Sequence, residues 1–444
     1  MLAVLATIDP NVLVACMTLI IAVLAYGKQN QIRFYDCVLV YQYYFRIISS
    51  LSIITAMTNS KQSKMVEQKR YPIMLGLATG NPKYKVTQKE ALAVAMKAKG
   101  CVGIRNVLDR VYSNSRITTR YMAIPDFTPE QKDVDDDNFF ADDNTYSLPV
   151  QIRQQKFKEV AVPLVTDVCK RAIAQAGISL ASINKLVVVS STGFLGPSLD
   201  CELIKTLGLP RTCDRTLVGF MGCAAAINGF RIAMDYADCH PGMNALLVCV
   251  EISSVHTTFK DAINDAILHA IFADGAAACV ITSQLVENIP KGTLAIVDTH
   301  GWLMEGTEDG ITLSINDDGI SCTLSKFLPQ YIAKNIGGFV DGFLKKHNFT
   351  RGDVDFWAVH PGGRRIIEEA QNGLGLTEKQ TADSWAVLDT YGNMLSPSVM
   401  FVLERIIARH NIALSKGEKG CELGLAFSFS PGVGAEGIML KQVK

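Results

Sequence analysis

The sequence predicts a layered α/β protein, and three observations carry that reading. Between Lys156 and Lys444 short apolar runs bounded by turn residues alternate with longer amphipathic stretches. The runs are apolar at successive positions, as strands covered on both faces must be. The pattern of the first half also returns faintly in the second. Lys185 to Ser191, Asn244 to Glu251 and Ala276 to Thr282 read as buried strands, and Phe157 to Ala176 and Leu324 to Lys346 read as helices.

Taken from the N-terminus, residues 1–65 stand apart as a hydrophobic extension. Val12 to Tyr26 is apolar but for one threonine, with Lys28 and Arg33 following. Phe34 to Met57 is a second apolar stretch, interrupted by Asp36, Gln42 and Arg46. The first run is shorter than the ~20 residues that span a bilayer and closer to a signal-peptide core. A targeting segment or membrane anchor, translation starting near Met57 or Met65, and an extra buried helix all stay open. Next, Asp126 to Asn144 is acidic but lacks calcium-loop spacing, so a solvated surface loop is expected rather than a metal site.

The following elements hold chemistry. Asp214 to Phe220 reads as a short buried strand running through Met221 and Gly222 into a helix opened by Cys223 and rich in alanine. A cysteine in the first turn of such a helix meets the positive end of the macrodipole, which favours the thiolate. A buried structural cysteine is the competing reading. Asp353 to His360 reads as a strand that ends on a histidine and opens into Pro361-Gly362-Gly363. Leu388 to Asn393 precedes an apolar helix opened by Ser396-Pro397. Singly, His360 suits a structural role and Asn393 a turn. Together, Cys223, His360 and Asn393 on three strand-to-helix junctions suit nucleophile, base and polarising amide, and point to acyl transfer.

The matching words Gly222-Cys223-Ala224-Ala225, Glu251-Ile252-Ser253-Ser254, Phe272-Ala273-Asp274-Gly275, Trp357 to Gly363, Tyr391-Gly392-Asn393-Met394 and Phe427 to Glu436 occur in one order from about Tyr71 to the C-terminus. In them the chain resembles the type III polyketide synthases, the chalcone and stilbene synthase-like branch of the thiolase superfamily, and its non-plant, bacterial or algal side. The resemblance implies a thiolase-like αβαβα layered fold of two similar halves. Residues 66–285 would carry the nucleophile and residues 286–444 the histidine and asparagine.

It implies further that Cys223 holds the growing acyl chain, that His360 pairs with its thiolate, and that His360 and Asn393 stabilise the enolate from malonyl-CoA decarboxylation. Phe272 falls at a gatekeeper position and Cys322 at a second one, where plant enzymes carry phenylalanine. Ser191, Thr192 and Phe429 fall at cavity positions. For CoA binding, Arg110 matches one basic position while Val107 and Asn114 replace two others; Arg116 or Arg105 stands near enough to compensate, and Gly362 and Gly363 allow close approach of the pantetheine. The expected partners are acyl-CoA, malonyl-CoA and a second copy of the chain, with no metal and no cofactor beyond the CoA thioesters. The alternatives are a ketoacyl synthase III-like enzyme using malonyl-acyl carrier protein, a hydroxymethylglutaryl-CoA synthase-like enzyme, and a non-catalytic scaffold.

Composition limits the remaining classes. Lysine plus arginine and aspartate plus glutamate each number 43, with no basic run, which argues against nucleic acid as a partner. The 12 cysteines show no zinc-site spacing and suit a reducing compartment, cytoplasm or plastid, with any membrane association confined to the N-terminal extension.

Overall fold

The computed structural model describes residues 69–128, 138–140 and 147–444. The N-terminal extension and most of the acidic stretch lie outside the described residues. Of that stretch, Asp126 is described: its carboxylate accepts the backbone N–H groups of Phe139 and Phe140.

Thirteen strands occur among the described residues. They are β1 (Arg70–Gly80), β2 (Tyr84–Thr87), β3 (Thr119–Met122), β4 (Ile183–Ser190), β5 (Asp214–Gly219), β6 (Asn244–Ile252), β7 (Asp274–Leu285), β8 (Leu294–Leu303), β9 (Ile311–Asn316), β10 (Gly319–Leu324), β11 (Phe356–Val359), β12 (Leu423–Ser430) and β13 (Gly434–Gln442). Nine of them form one sheet in the order β11-β12-β13-β8-β1-β7-β6-β4-β5. Read outward from the β1–β8 seam, one half runs β1, β7, β6, β4, β5 and the other β8, β13, β12, β11. The pairings repeat too: β4–β6 and β11–β12 are parallel, whereas β6–β7, β12–β13, β7–β1 and β13–β8 are antiparallel. This is the thiolase-like duplication, and β1 touches β8 through the single register pair Ile73 and Ala295.

Two helices fill the space between the half-sheets. Ala225–Cys239 and Ser396–Ser415 share one apolar core with Val187, Val189, Leu247 and Cys249 from one side and Ala358, Ala426, Ile438 and Leu440 from the other. The helix Val150–Ala176 covers the outer face of the first half-sheet; Leu328–Lys345 and Arg364–Leu374 cover that of the second. Five layers result. Small residues make the central layer possible: a Cβ on Gly229 would come within 2.5 Å of Leu247, so that helix can approach the sheet only where no side chain intervenes.

Four sequence expectations need correction. The strand Asp214–Gly219 is half exposed rather than buried, because it is the edge of the sheet with β4 on one side only. The helix ending at Ala176 begins at Val150, earlier than its apolar pattern shows, with Pro163 inside it. Leu324 ends β10 rather than starting the helix Leu328–Lys345. Asn393 follows the helix Ala382–Tyr391 and not a strand, since Trp385, Val387 and Leu388 bury one helical face there.

Candidate active site

The nucleophile turn is shaped by two left-handed residues, Phe220 and Gly222, both at φ 56°. They fold the exit of β5 back so that Cys223 lies in a 3₁₀ turn, Gly222–Ala224, just ahead of the central helix Ala225–Cys239. A side chain is disfavoured at 222: φ is positive and a Cβ there would sit 3.0 Å from Pro431 Cδ. The turn is tied down by the Gly222 N–H, which donates to Ser191 Oγ at 3.0 Å.

His360 follows β11 directly and is 1% exposed. Its backbone N–H donates to the Phe427 carbonyl, while both ring nitrogens lack hydrogen-bond partners among the described residues. Asn393 is 3% exposed and fully oriented. Its Oδ1 accepts the Leu395 N–H at 2.8 Å and its Nδ2 donates to the Gly362 carbonyl at 3.0 Å. That leaves the second amide proton facing Cys223 Sγ, 3.9 Å away. Leu395 holds φ 52° to begin the helix Ser396–Ser415, a backbone strain of the sort found where geometry is over-determined.

Electrostatically the pocket is dry. Burial pushes the Cys223 thiol well up, with Cys322 adding to the rise and the Asn393 hydrogen bond opposing it. Burial also pushes the His360 imidazole down to about 3. Burial thus favours the neutral form of each group taken singly. Burial works against the helix dipole here, since Cys223 lies in the 3₁₀ turn just before the helix.

Two chambers meet here. A small one of about 50 Å³ is lined by Cys223, His360, Asn393, Gly362, Phe429 and Cys322 among others. A larger one of about 250 Å³ is lined by Ser191, Thr192, His256 and residues of the helix Ile263–Ile271. Phe272, Leu313, Cys322 and Leu395 line both and so form the gate between them. Cys322 sits on the β9–β10 hairpin opposite Leu313. Phe429 lies on β12. Arg110 is exposed on the helix Arg105–Ser113 and lines neither chamber. Gly363, at φ 147°, opens the helix Arg364–Leu374 beside Ile271. Arg116 pairs with Glu378 at 2.7 Å and stacks on Trp385.

Two residues escaped the sequence reading of roles. Glu251 is fully buried at the end of β6, and its carboxylate accepts from Ser191 N, Thr192 Oγ1 and Ser396 Oγ. Through Ser191 it steadies the nucleophile turn. Arg120, also fully buried, donates from one nitrogen to the carbonyls of His269 and Phe272. It pins the gate. The signal for Glu251 is a charge at the end of an apolar strand run, whereas Arg120 stands in the polar stretch Arg116 to Tyr121 and carries no such signal.

The chain is similar over most of its length to known proteins. Residues 58–285 match the family described as "Chalcone and stilbene synthases, N-terminal domain", and residues 296–444 match its C-terminal domain. "Alpha-pyrone synthesis polyketide synthase-like Pks18" of Mycobacterium tuberculosis is 40% identical over 373 residues, 84% of this chain and 91% of that one. The crystal structure of PKS-I from the brown alga Ectocarpus siliculosus is 67% identical, with a TM-score of 0.84, covering 85% of this chain and 100% of that one. The C-terminal type III polyketide synthase domain of Steely1 from Dictyostelium is 26% identical, with a TM-score of 0.74, over 84% of this chain and all of that domain.

Proposed function

We propose, for a chain that belongs to the chalcone and stilbene synthase family and is a type III polyketide synthase, that it extends a small CoA-bound starter with malonyl-CoA and closes the short chain to a phloroglucinol- or pyrone-type ring. The observation that carries this reading is the pair of chambers joined at Phe272 and Cys322. The larger, at about 250 Å³, lies just below the ~300–1,000 Å³ typical of sites for drug-sized ligands. That volume favours an acetyl- or malonyl-derived starter over a fatty acyl chain and its alkylresorcinol products. The pyrone option also has support in the name of the Mycobacterium relative.

The steps follow from the side chains. As the starter binds, Cys223 passes its proton to His360 and the sulfur attacks the thioester carbon; CoA leaves with the proton from His360. Malonyl-CoA then enters, and its thioester oxygen accepts hydrogen bonds from Asn393 Nδ2 and His360 Nε2. Carbon dioxide departs, its bonding pair forming the enolate those donors stabilise. The enolate carbon attacks the acyl group on Cys223 and displaces the thiolate, leaving a chain on CoA that is longer by two carbons. Donors aimed at such charge contribute ~10²–10³ in rate each. No cofactor beyond the CoA thioesters enters this scheme.

A homodimer in the cytoplasm or plastid completes the proposal. The outer edge of β5, which exposes Leu217 beside the 65% exposed Phe194, supports pairing with a second copy. Arg110 and Gly363, which line neither chamber, would meet the CoA moiety outside them.

The test supplies the full chain with malonyl-CoA alone and then with a ladder of acyl-CoA starters, products being identified by mass spectrometry and NMR. A small aromatic or pyrone from malonyl- or acetyl-CoA is expected. Products from long-chain starters alone would overturn the small-starter reading, and consumption of malonyl-acyl carrier protein instead would overturn the CoA-dependent scheme.

A further inference from the structure

The wall of the larger chamber carries an acid–base pair that the condensation steps leave unused. The helix Ile263–Ile271 presents Asp265 and His269 four residues apart, hence on one face, and both line the chamber. His269 is 9% exposed, its ring held 4.6 Å from that of Phe259. Its Nδ1 lies 2.7 Å from the buried Tyr112 hydroxyl. Its Nε2 has no hydrogen-bond partner among the described residues, and Asp265 Oδ2 stands 3.7 Å from it. That gap is too long for a direct hydrogen bond, so a carbonyl oxygen that met Nε2 from the chamber side would lie beside the Asp265 carboxylate.

Asp265 is oriented independently. Its carboxylate accepts from Thr258 Oγ1 at 3.1 Å and from the Lys260 N–H at 2.8 Å. Burial raises the carboxyl to about 6 and keeps the His269 imidazole neutral, down at about 3. A carboxylate facing Nε2 favours the tautomer with its proton there, so Tyr112 donates to Nδ1. The chamber's other histidine makes the contrast. His256 has both nitrogens engaged, Nε2 with the Thr192 carbonyl at 2.8 Å and Nδ1 with the Ile320 N–H at 3.3 Å. His256 latches the hairpin, whereas His269 keeps an unused donor.

We propose that Asp265 and His269 bind and enolise the β-diketone segments of the growing chain, and so act as the general acid–base pair for ring closure. This rests on the polyketide reading. A ketone oxygen accepts the His269 Nε2 proton in a hydrogen bond while Asp265 takes a proton from the methylene between two carbonyls. The C–H electron pair moves into the enolate, and the proton on Asp265 is returned to the oxygen, giving the enol. Nothing is oxidised or reduced, and both side chains end as they began.

Acetylacetone, a β-diketone without a thioester, is the probe. Exchange of its central methylene protons in deuterated buffer is followed by proton NMR with the full chain and with Asp265→Asn and His269→Gln. General acid–base catalysis contributes ~10²–10⁴, so each variant is expected to lower the enzyme's acceleration over buffer at least tenfold. Circular dichroism and thermal unfolding establish that a variant is folded, and one folded variant decides. No acceleration by the wild type, or equal acceleration by a folded variant, overturns the proposal. Carbon dioxide release from malonyl-CoA is measured separately. Its absence would strike the polyketide reading instead, because exchange needs neither thioester nor decarboxylation.

Discussion

Replacing Glu251 by glutamine should change how the stability of this protein depends on pH, by an amount the structure sets. Burial raises the Glu251 carboxyl from 4.5 to about 7, and the hydrogen bonds from Ser396, Thr192 and Ser191 offset that only in part. Between those two values the folded chain holds a proton that the unfolded chain has lost. Stability contributed by this group therefore falls as pH rises through the window. At 1.36 kcal/mol per pKa unit, the span of roughly 2.5 units amounts to about 3 kcal/mol, a large share of the ~5–15 kcal/mol typical of a domain. Glutamine has nearly the same shape and does not titrate. Asp265 and Asp274 are raised to about 6 and blur the wild-type curve alone. The difference between the two proteins isolates Glu251. Urea unfolding monitored from pH 4.5 to 8 should thus show the wild type losing about 3 kcal/mol relative to Glu251→Gln as pH increases. A difference that stays flat across this range would refute the argument that burial dominates the site.

Four further outcomes are expected. Asn393→Ala should keep acyl loading on Cys223, read by intact-protein mass spectrometry, while malonyl-CoA decarboxylation falls by ~10²–10³; normal decarboxylation would remove Asn393 from that role. Gly222→Ala should lose roughly 1–2 kcal/mol in urea unfolding, because its left-handed conformation is costly for a side chain and Pro431 leaves little room. Cys322→Phe should narrow the gate and reduce turnover of an octanoyl starter relative to acetyl-CoA by roughly 10–200-fold; unaltered selectivity would make the gate incidental. Alkylation of unliganded Cys223 by iodoacetamide should climb through the alkaline range rather than level off near neutrality, because burial raises its thiol.

The positions of Cys223 and His360 are legible in the sequence because each stands where an apolar run meets a glycine-containing turn. Local sequence reports such junctions directly. Asn393 was recognised but its setting misread as a strand exit, because Leu388 and its neighbours suit either a buried strand or one helical face. The seam was harder still. Nothing in Ile73 or Ala295 announces that their strands join the two half-sheets, since one register pair leaves no periodic trace. Asp265 and His269 had the helical spacing to be seen, but only the folded chain turns that face toward the chamber. Arg110, which only the family resemblance singles out, is exposed on its helix and lines neither chamber.

The chamber gate and Asn393 share a stretch of backbone. Phe272 bridges Asn393, with the Asn393 N–H donating to the Ile271 carbonyl at 2.8 Å and the Ala273 N–H to the Asn393 carbonyl at 2.9 Å. A substitution at Phe272 that shifts its backbone therefore shifts Asn393 with it. The opposite jamb, Cys322, hangs from a separate hairpin. Lineages diversifying their products have a freer hand on that side, and so does a protein engineer.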